Sequence, residues 1–144
     1  MQDLDICLKE GISHKPSLPF ESISEFLTHH AEKFGKKTAV TFMDVDQESH
    51  QTITYQDLLL KVQSLSYLFL TTYQLQPGDR IALHLSNTPL LLLCHLAAWA
   101  NGLITVPLDL KRDSVERKLY KITTTNCKLI IGTGEKDEEI LKDA

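Results

Sequence analysis

Hydrophobic positions along this chain change period several times, and each change marks a predicted element. Ile23, Phe26, Leu27, Ala31 and Phe34 recur at helical spacing, which predicts an amphipathic helix closed by Gly35. Thr38 to Met43 reads as a strand, and Asp44 to Ser49 turns it back into a second run over Gln51 to Thr54. Thr54 and Asp57 form a capping-box-like pair, and Leu58, Val62, Leu65 and Phe69 mark the buried stripe of the helix that follows. Pro77-Gly78-Asp79 is a tight turn, with Pro presetting φ and Gly accepting a positive one.

Ile81 to Asn87 then reads as a buried strand. Asn87 or Thr88 can cap the next helix, whose first turn holds Pro89 and whose end is marked by Gly102. Leu103 to Leu108 reads as another buried strand, which completes a βαβ crossover and implies parallel pairing. Asp113 and Glu116 repeat the capping pattern before a third helix, with Leu119 and Ile122 facing inward and Asn126 closing it. Lys128 to Ile131 predicts a further strand, and Glu135 to Lys142 a short charged helix. Strands near residues 81, 104 and 129 alternating with helices indicate an α/β fold with a mostly parallel sheet and flanking helices. Residues 1–20, polar and carrying Pro16 and Pro19, read as an N-terminal arm to a domain over 21–144.

Composition narrows the partners. A hydrophobic share of 42% with 24% charged residues is ordinary for a soluble domain. A net charge of −4, with no basic stripe interleaved with aromatics, argues against nucleic acid as a partner. The start, Met1-Gln2-Asp3-Leu4-Asp5, lacks a signal peptide's basic and apolar regions. Cys7, Cys94 and Cys127 show no Cys-x-x-Cys spacing and read as reduced thiols, the expectation for a cytoplasmic protein. Pro89 to Leu108 carries no charge over the length of a membrane span, yet Asn101-Gly102 interrupts it. Helix followed by strand is therefore the reading, with no transmembrane segment.

Thr54-Tyr55-Gln56-Asp57-Leu58, Pro77-Gly78-Asp79-Arg80, a strand ending at Asn87, an apolar helix, Gly102 and a strand closing on Val106-Pro107 occur in that order. This ordered set resembles the N-terminal part of the adenylate-forming acyl-CoA synthetases, the AMP-dependent synthetase and ligase superfamily, from about Ile23 to Ile131. The resemblance implies a two-step reaction for a complete enzyme. A carboxylate, expected to be a fatty acid, attacks ATP to give acyl-AMP, and the thiol of CoA then forms the thioester. ATP, Mg²⁺ and CoA are implied for that enzyme, and none is expected to be bound by this portion alone. Alternatives are a ligase activating amino acids or aryl acids, or a stand-alone α/β binding or scaffold module. The alternation alone also fits an unrelated flavodoxin-like domain, which leaves the motif order unexplained.

Family members carry a Ser/Thr/Gly-rich phosphate loop and a C-terminal domain with a catalytic Lys, and neither is in this sequence. Gly132-Thr133-Gly134 runs into Glu135-Lys136-Asp137-Glu138-Glu139, and acidic residues oppose a phosphate cradle, so it reads as a strand-to-helix turn. The chain is thus expected to be a truncated, catalytically incomplete ligase portion whose exposed apolar surface can self-associate.

Among residues that could carry chemistry, the six histidines offer no ligand set. His29 and His30 are adjacent on a helix and diverge, while His84 and His95 read as core-margin residues. Cys94 and Cys127 read as buried fillers, Asp57 as a cap, Tyr55 as packing. Lys111 and Arg112, on the turn after Val106-Pro107, are the candidate ligand contacts. The resemblance implies a basic residue there that reaches the nucleotide phosphates of CoA. The competing reading is a solvated surface pair, with Asp109 and Asp113 weakening the local potential.

Overall fold

The computed structural model describes residues 19–44 and 49–132. Helix α1 (Ile23–Phe34) starts at Ser22, whose side chain accepts the Glu25 amide. Only Leu27 of its apolar face is fully buried. Phe26 instead joins a ring cluster: His30 lies 4.2 Å from it between centroids, and 5.9 Å from Tyr55. Tyr55 is therefore a packing residue that ties α1 to the next helix, as expected. Gly35 closes α1 at φ −24°, outside the left-handed region. A Cβ there would stand 2.9 Å from the Ala31 carbonyl oxygen, so close approach, not handedness, favours glycine.

Strands β1 (Thr38–Asp44) and β2 (Ser49–Thr54) pair antiparallel as a separate two-stranded sheet. Helix α2 (Tyr55–Thr71) follows with the expected cap: Thr54 Oγ1 accepts the Asp57 amide at 3.1 Å and donates to its carboxylate at 2.8 Å. The second sheet is parallel, in the order β4-β3-β5, from β3 (Arg80–His84), β4 (Ile104–Pro107) and β5 (Cys127–Gly132). Helix α3 (Pro89–Ala100) connects β3 to β4, and α4 (Val115–Thr125) connects β4 to β5.

Side-chain alternation on the central strand divides the core in two. Ile81 and Leu83 face the larger part with Leu58, Val62 and Phe69 of α2 and Cys94, Ala97 and Ala98 of α3. Ala82 faces the smaller part with Leu108 and Ile122, packed by Val106, Leu119 and Ile130. The two crossover helices thus cover opposite faces of the parallel sheet. Three fully buried residues in a row, Ile81 to Leu83, follow from that double cover.

Several boundaries differ from expectation for identifiable reasons. β3 ends at His84: Leu85 is still buried, but Ser86 and Asn87 are exposed beyond the ladder. β4 is an edge strand, so Ile104 is 47% exposed while the flanking Leu103 and Leu108 are buried. Thr88, not Asn87, is the N-cap of α3, and it makes no side-chain cap bond. Ser114, not Asp113, caps α4, accepting the Arg117 amide at 3.3 Å. Asn126 closes α4 in the left-handed conformation, φ +52°, as expected. His84 is buried in the central strand, deeper than a core-margin residue.

The Gly134 turn, the Glu135 to Lys142 helix and most of the N-terminal arm lie outside the described residues. Among the described residues no helix is long and apolar enough to cross a membrane. α2 and α3 leave a shallow apolar groove between them, with Leu60, Leu68 and Leu90 partly exposed along it.

Candidate functional site

At the carboxyl ends of the strands the chain leaves the parallel ladder after Leu83, paired with Pro107, and His84, paired with Gly132. Open α/β sheets bind ligands at this end, where the loops of neighbouring strands part. Here the loops after β3 and β4 part over a groove of about 660 Å³. Its apolar lining comes from Leu83, Leu85, Leu91, Pro107, Leu108 and Leu110. Ser86, Asn87, His95, Asp109, Lys111 and Lys121 supply its polar groups.

Two carboxylates wire the turn after β4. Asp109 Oδ1 accepts the amides of Lys111 at 2.8 Å and Arg112 at 2.9 Å, an Asx-type turn. Asp113 Oδ2 in turn accepts the Asp109 amide at 2.9 Å. The Asp113 carboxylate also pairs with Arg117 Nε at 2.9 Å and with Lys121 Nζ, and its side chain is only 4% exposed. Hydrogen bonding from Lys121, then from the Asp109 amide, holds the Asp113 carboxyl below the ordinary range, against the opposing effect of burial. The Arg112 and Lys111 amides do the same for Asp109. A depressed carboxyl pKa stabilises the fold above the unfolded value, near 4. That contribution is lost as pH falls through the folded value, so this turn weakens in acid.

The structure separates the two candidate cations. Lys111 lines the groove and has no ion-pair partner among the described residues. Arg112 does not line it: its side chain is 90% exposed, with Nε 4.0 Å from Asp109 Oδ2. Lys121, which the sequence reading passed over, reaches the groove with its charge matched by Asp113. The signal was present, because positions 113, 117 and 121 repeat at the four-residue spacing of one helix face.

His95 also lines the groove, half-buried on α3. Its Nδ1 is 3.1 Å from Thr105 Oγ1, which accepts from Trp99 Nε1 at 3.3 Å. Indole N–H is a donor only, so Thr105 Oγ1 accepts from Trp99, and its second lone pair or its own proton meets His95 Nδ1 according to the tautomer. Burial lowers the His95 pKa, which keeps the ring neutral at pH 7.

Burial pushes the Cys94 thiol up to about 11, so it is not a thiolate at neutral pH. Among the described residues no three His, Cys, Asp or Glu side chains could together hold a metal ion. A lysine without an ion-pair partner among the described residues, an imidazole, hydroxyl and amide groups and the Asp109 carboxylate stand over an apolar lining, the make-up of a ligand groove.

Residues 27–144 match the model of a family described as AMP-binding enzyme. A crotonobetaine/carnitine–CoA ligase of Citrobacter koseri is 30% identical over 105 residues, covering 73% of this chain and 20% of that relative. A long-chain-fatty-acid–CoA ligase of Bacillus subtilis is 31% identical over 94 residues, 65% of this chain and 16% of the relative. The chain therefore spans a fifth or less of the length of these two relatives. The fold superposes on a fatty acyl-adenylate ligase of L. pneumophila, solved with acyl adenylate and pyrophosphate, at a TM-score of 0.73. That match has 19% identity and covers 84% of this chain and 21% of the other.

Proposed function

The chain belongs to the AMP-binding enzyme family, and from that premise we propose that it forms the N-terminal portion of an ATP-dependent acyl-CoA ligase acting in the cytoplasm. In this reading the whole protein joins a carboxylic acid to AMP with release of pyrophosphate, then passes the acyl group to the CoA thiol. The observation that carries the reading is the family match over residues 27–144, seconded by two relatives named as CoA ligases. A fatty acid is the proposed substrate class, supported by the long-chain-fatty-acid ligase among those relatives. ATP and Mg²⁺ belong to the adenylation step of that enzyme.

CoA is the ligand proposed for the groove. Lys111 stands at its rim as a point charge for a phosphate of CoA, and the His95 imidazole adds a polar contact. Arg112, outside the lining, would contribute only longer-range potential, and at high exposure salt screens it.

The test begins with the 144 residues alone. Because the sequence carries no Ser/Thr/Gly-rich phosphate loop, they are expected to give no ATP–pyrophosphate exchange with any fatty acid. Exchange above a host-ligase-free background would contradict the assignment of residues. The partly exposed Leu60, Leu68 and Leu90 are also expected to let the isolated chain pair with a second copy through the α2–α3 face. Sedimentation velocity reads this directly: Leu60→Lys with Leu68→Lys should return a monomer, and a wild-type monomer at high concentration would refute it.

A further inference from the structure

We infer that Asp113 is a positioning residue, whose buried carboxylate fixes the Asp109–Arg112 turn so that Lys111 is held along the groove at the carboxyl ends of β3 and β4. The inference rests on the reading of Lys111 as a contact to a phosphate of CoA. Ser114, not Asp113, takes the capping role and accepts the Arg117 amide. Asp113 faces the other way, toward the turn that precedes the helix. Its Oδ2 accepts the Asp109 amide, and Asp109 Oδ1 accepts the amides of Lys111 and Arg112. The two carboxylates therefore interlock over consecutive residues, and every turn amide engaged in this way lies between β4 and α4.

What anchors the outer end of that chain of bonds is helix α4. Arg117 and Lys121, one and two turns into it, both pair with Asp113, whose side chain is 4% exposed. An exposed ion pair adds little, but a buried carboxylate with three partners has one arrangement that satisfies it. The same pairing removes Lys121 as a free charge at the groove. Lys111 is then the groove-lining cation without an ion-pair partner among the described residues. A cation whose backbone is already fixed loses less freedom on binding an anion than one on a mobile turn. The placement of Asp113 thus selects which lysine is offered to the ligand and lowers the ordering cost of offering it.

The experiment is a double-mutant cycle on CoA affinity, read by isothermal titration on a chimera in which residues 27–132 replace the matched segment of the Bacillus subtilis long-chain-fatty-acid–CoA ligase. Lys111→Ala is expected to weaken CoA several-fold. Asp113→Asn is expected to weaken it about two- to tenfold, and the double variant no further than Lys111→Ala alone. Hydrogen exchange at the Lys111 amide should speed up in Asp113→Asn. Ser114→Ala, which removes the helix cap, should lower stability while leaving both CoA affinity and that amide unchanged. If Asp113→Asn does not fold, Arg117→Ala removes one support of the same carboxylate from its exposed side and should shift affinity in the same direction. Additive losses in the cycle, or unchanged affinity in both the Asp113 and Arg117 variants, would overturn the positioning role while leaving Lys111 as a contact. Unchanged affinity in Lys111→Ala, or no CoA binding to the folded chimera, would overturn the CoA reading and the inference with it.

Discussion

Phe69→Ala is expected to lower the stability of the chain by about 3–5 kcal/mol. Phe69 is 1% exposed and stands near the end of α2, within the cluster that joins α2 and α3 to the parallel sheet. Removing the ring loses its transfer free energy and leaves a cavity that neighbours on three elements cannot fill without moving together. Ordinary domains are stable by only 5–15 kcal/mol, so the substitution takes a large share of the total. Urea unfolding followed by circular dichroism checks it. The midpoint should fall at an unchanged slope, whereas a loss under about 1 kcal/mol would remove Phe69 from the core.

Gly102→Val is expected to cost about 1–3 kcal/mol, through strain instead of lost contact. Gly102 has φ +67°, where a β-branched residue is a steric outlier, and its Cβ would stand 3.4 Å from Pro77 Cβ. The position also ties two turns together. The Gly78 amide donates to the Gly102 carbonyl at 2.8 Å, and the Leu103 amide closes α3 on Ala98 at 2.9 Å. Gly102→Ala separates the causes: it keeps most of the backbone strain with less crowding, so it should fall between wild type and Val. A Val variant as stable as wild type by thermal unfolding would contradict the left-handed assignment.

Much of this architecture was legible because local chemistry and tertiary packing agree. Gly102, Asn126, the Thr54 cap and the Pro77-Gly78 turn each have a residue type that few other conformations accept, and the structure uses them as expected. β4 was harder, because its composition is that of a buried strand and only the order β4-β3-β5 makes it an edge. Asp113 and Ser114 are both good helix caps by residue type. What separates them is the pull of Arg117 and Lys121 on the carboxylate, a matter of side-chain reach that periodicity suggests without deciding. The groove itself joins residues from the loops after β3 and β4 with His95 of α3 and Lys121 of α4. No single window of sequence contains it. The motif order pointed to the family, while the separation of Lys111, which lines the groove, from Arg112, which does not, emerged only from the fold of the turn.

The most direct test of the assignment is a transplant. Residues 27–132 would replace the matched segment of the Bacillus subtilis long-chain-fatty-acid–CoA ligase, and both half-reactions would be followed in the same preparation. The account predicts a folded chimera that retains ATP–pyrophosphate exchange and forms the acyl-CoA thioester, with Lys111→Ala raising the KM for CoA and leaving the exchange unchanged. A chimera that folds with a cooperative thermal transition yet supports neither half-reaction would contradict it.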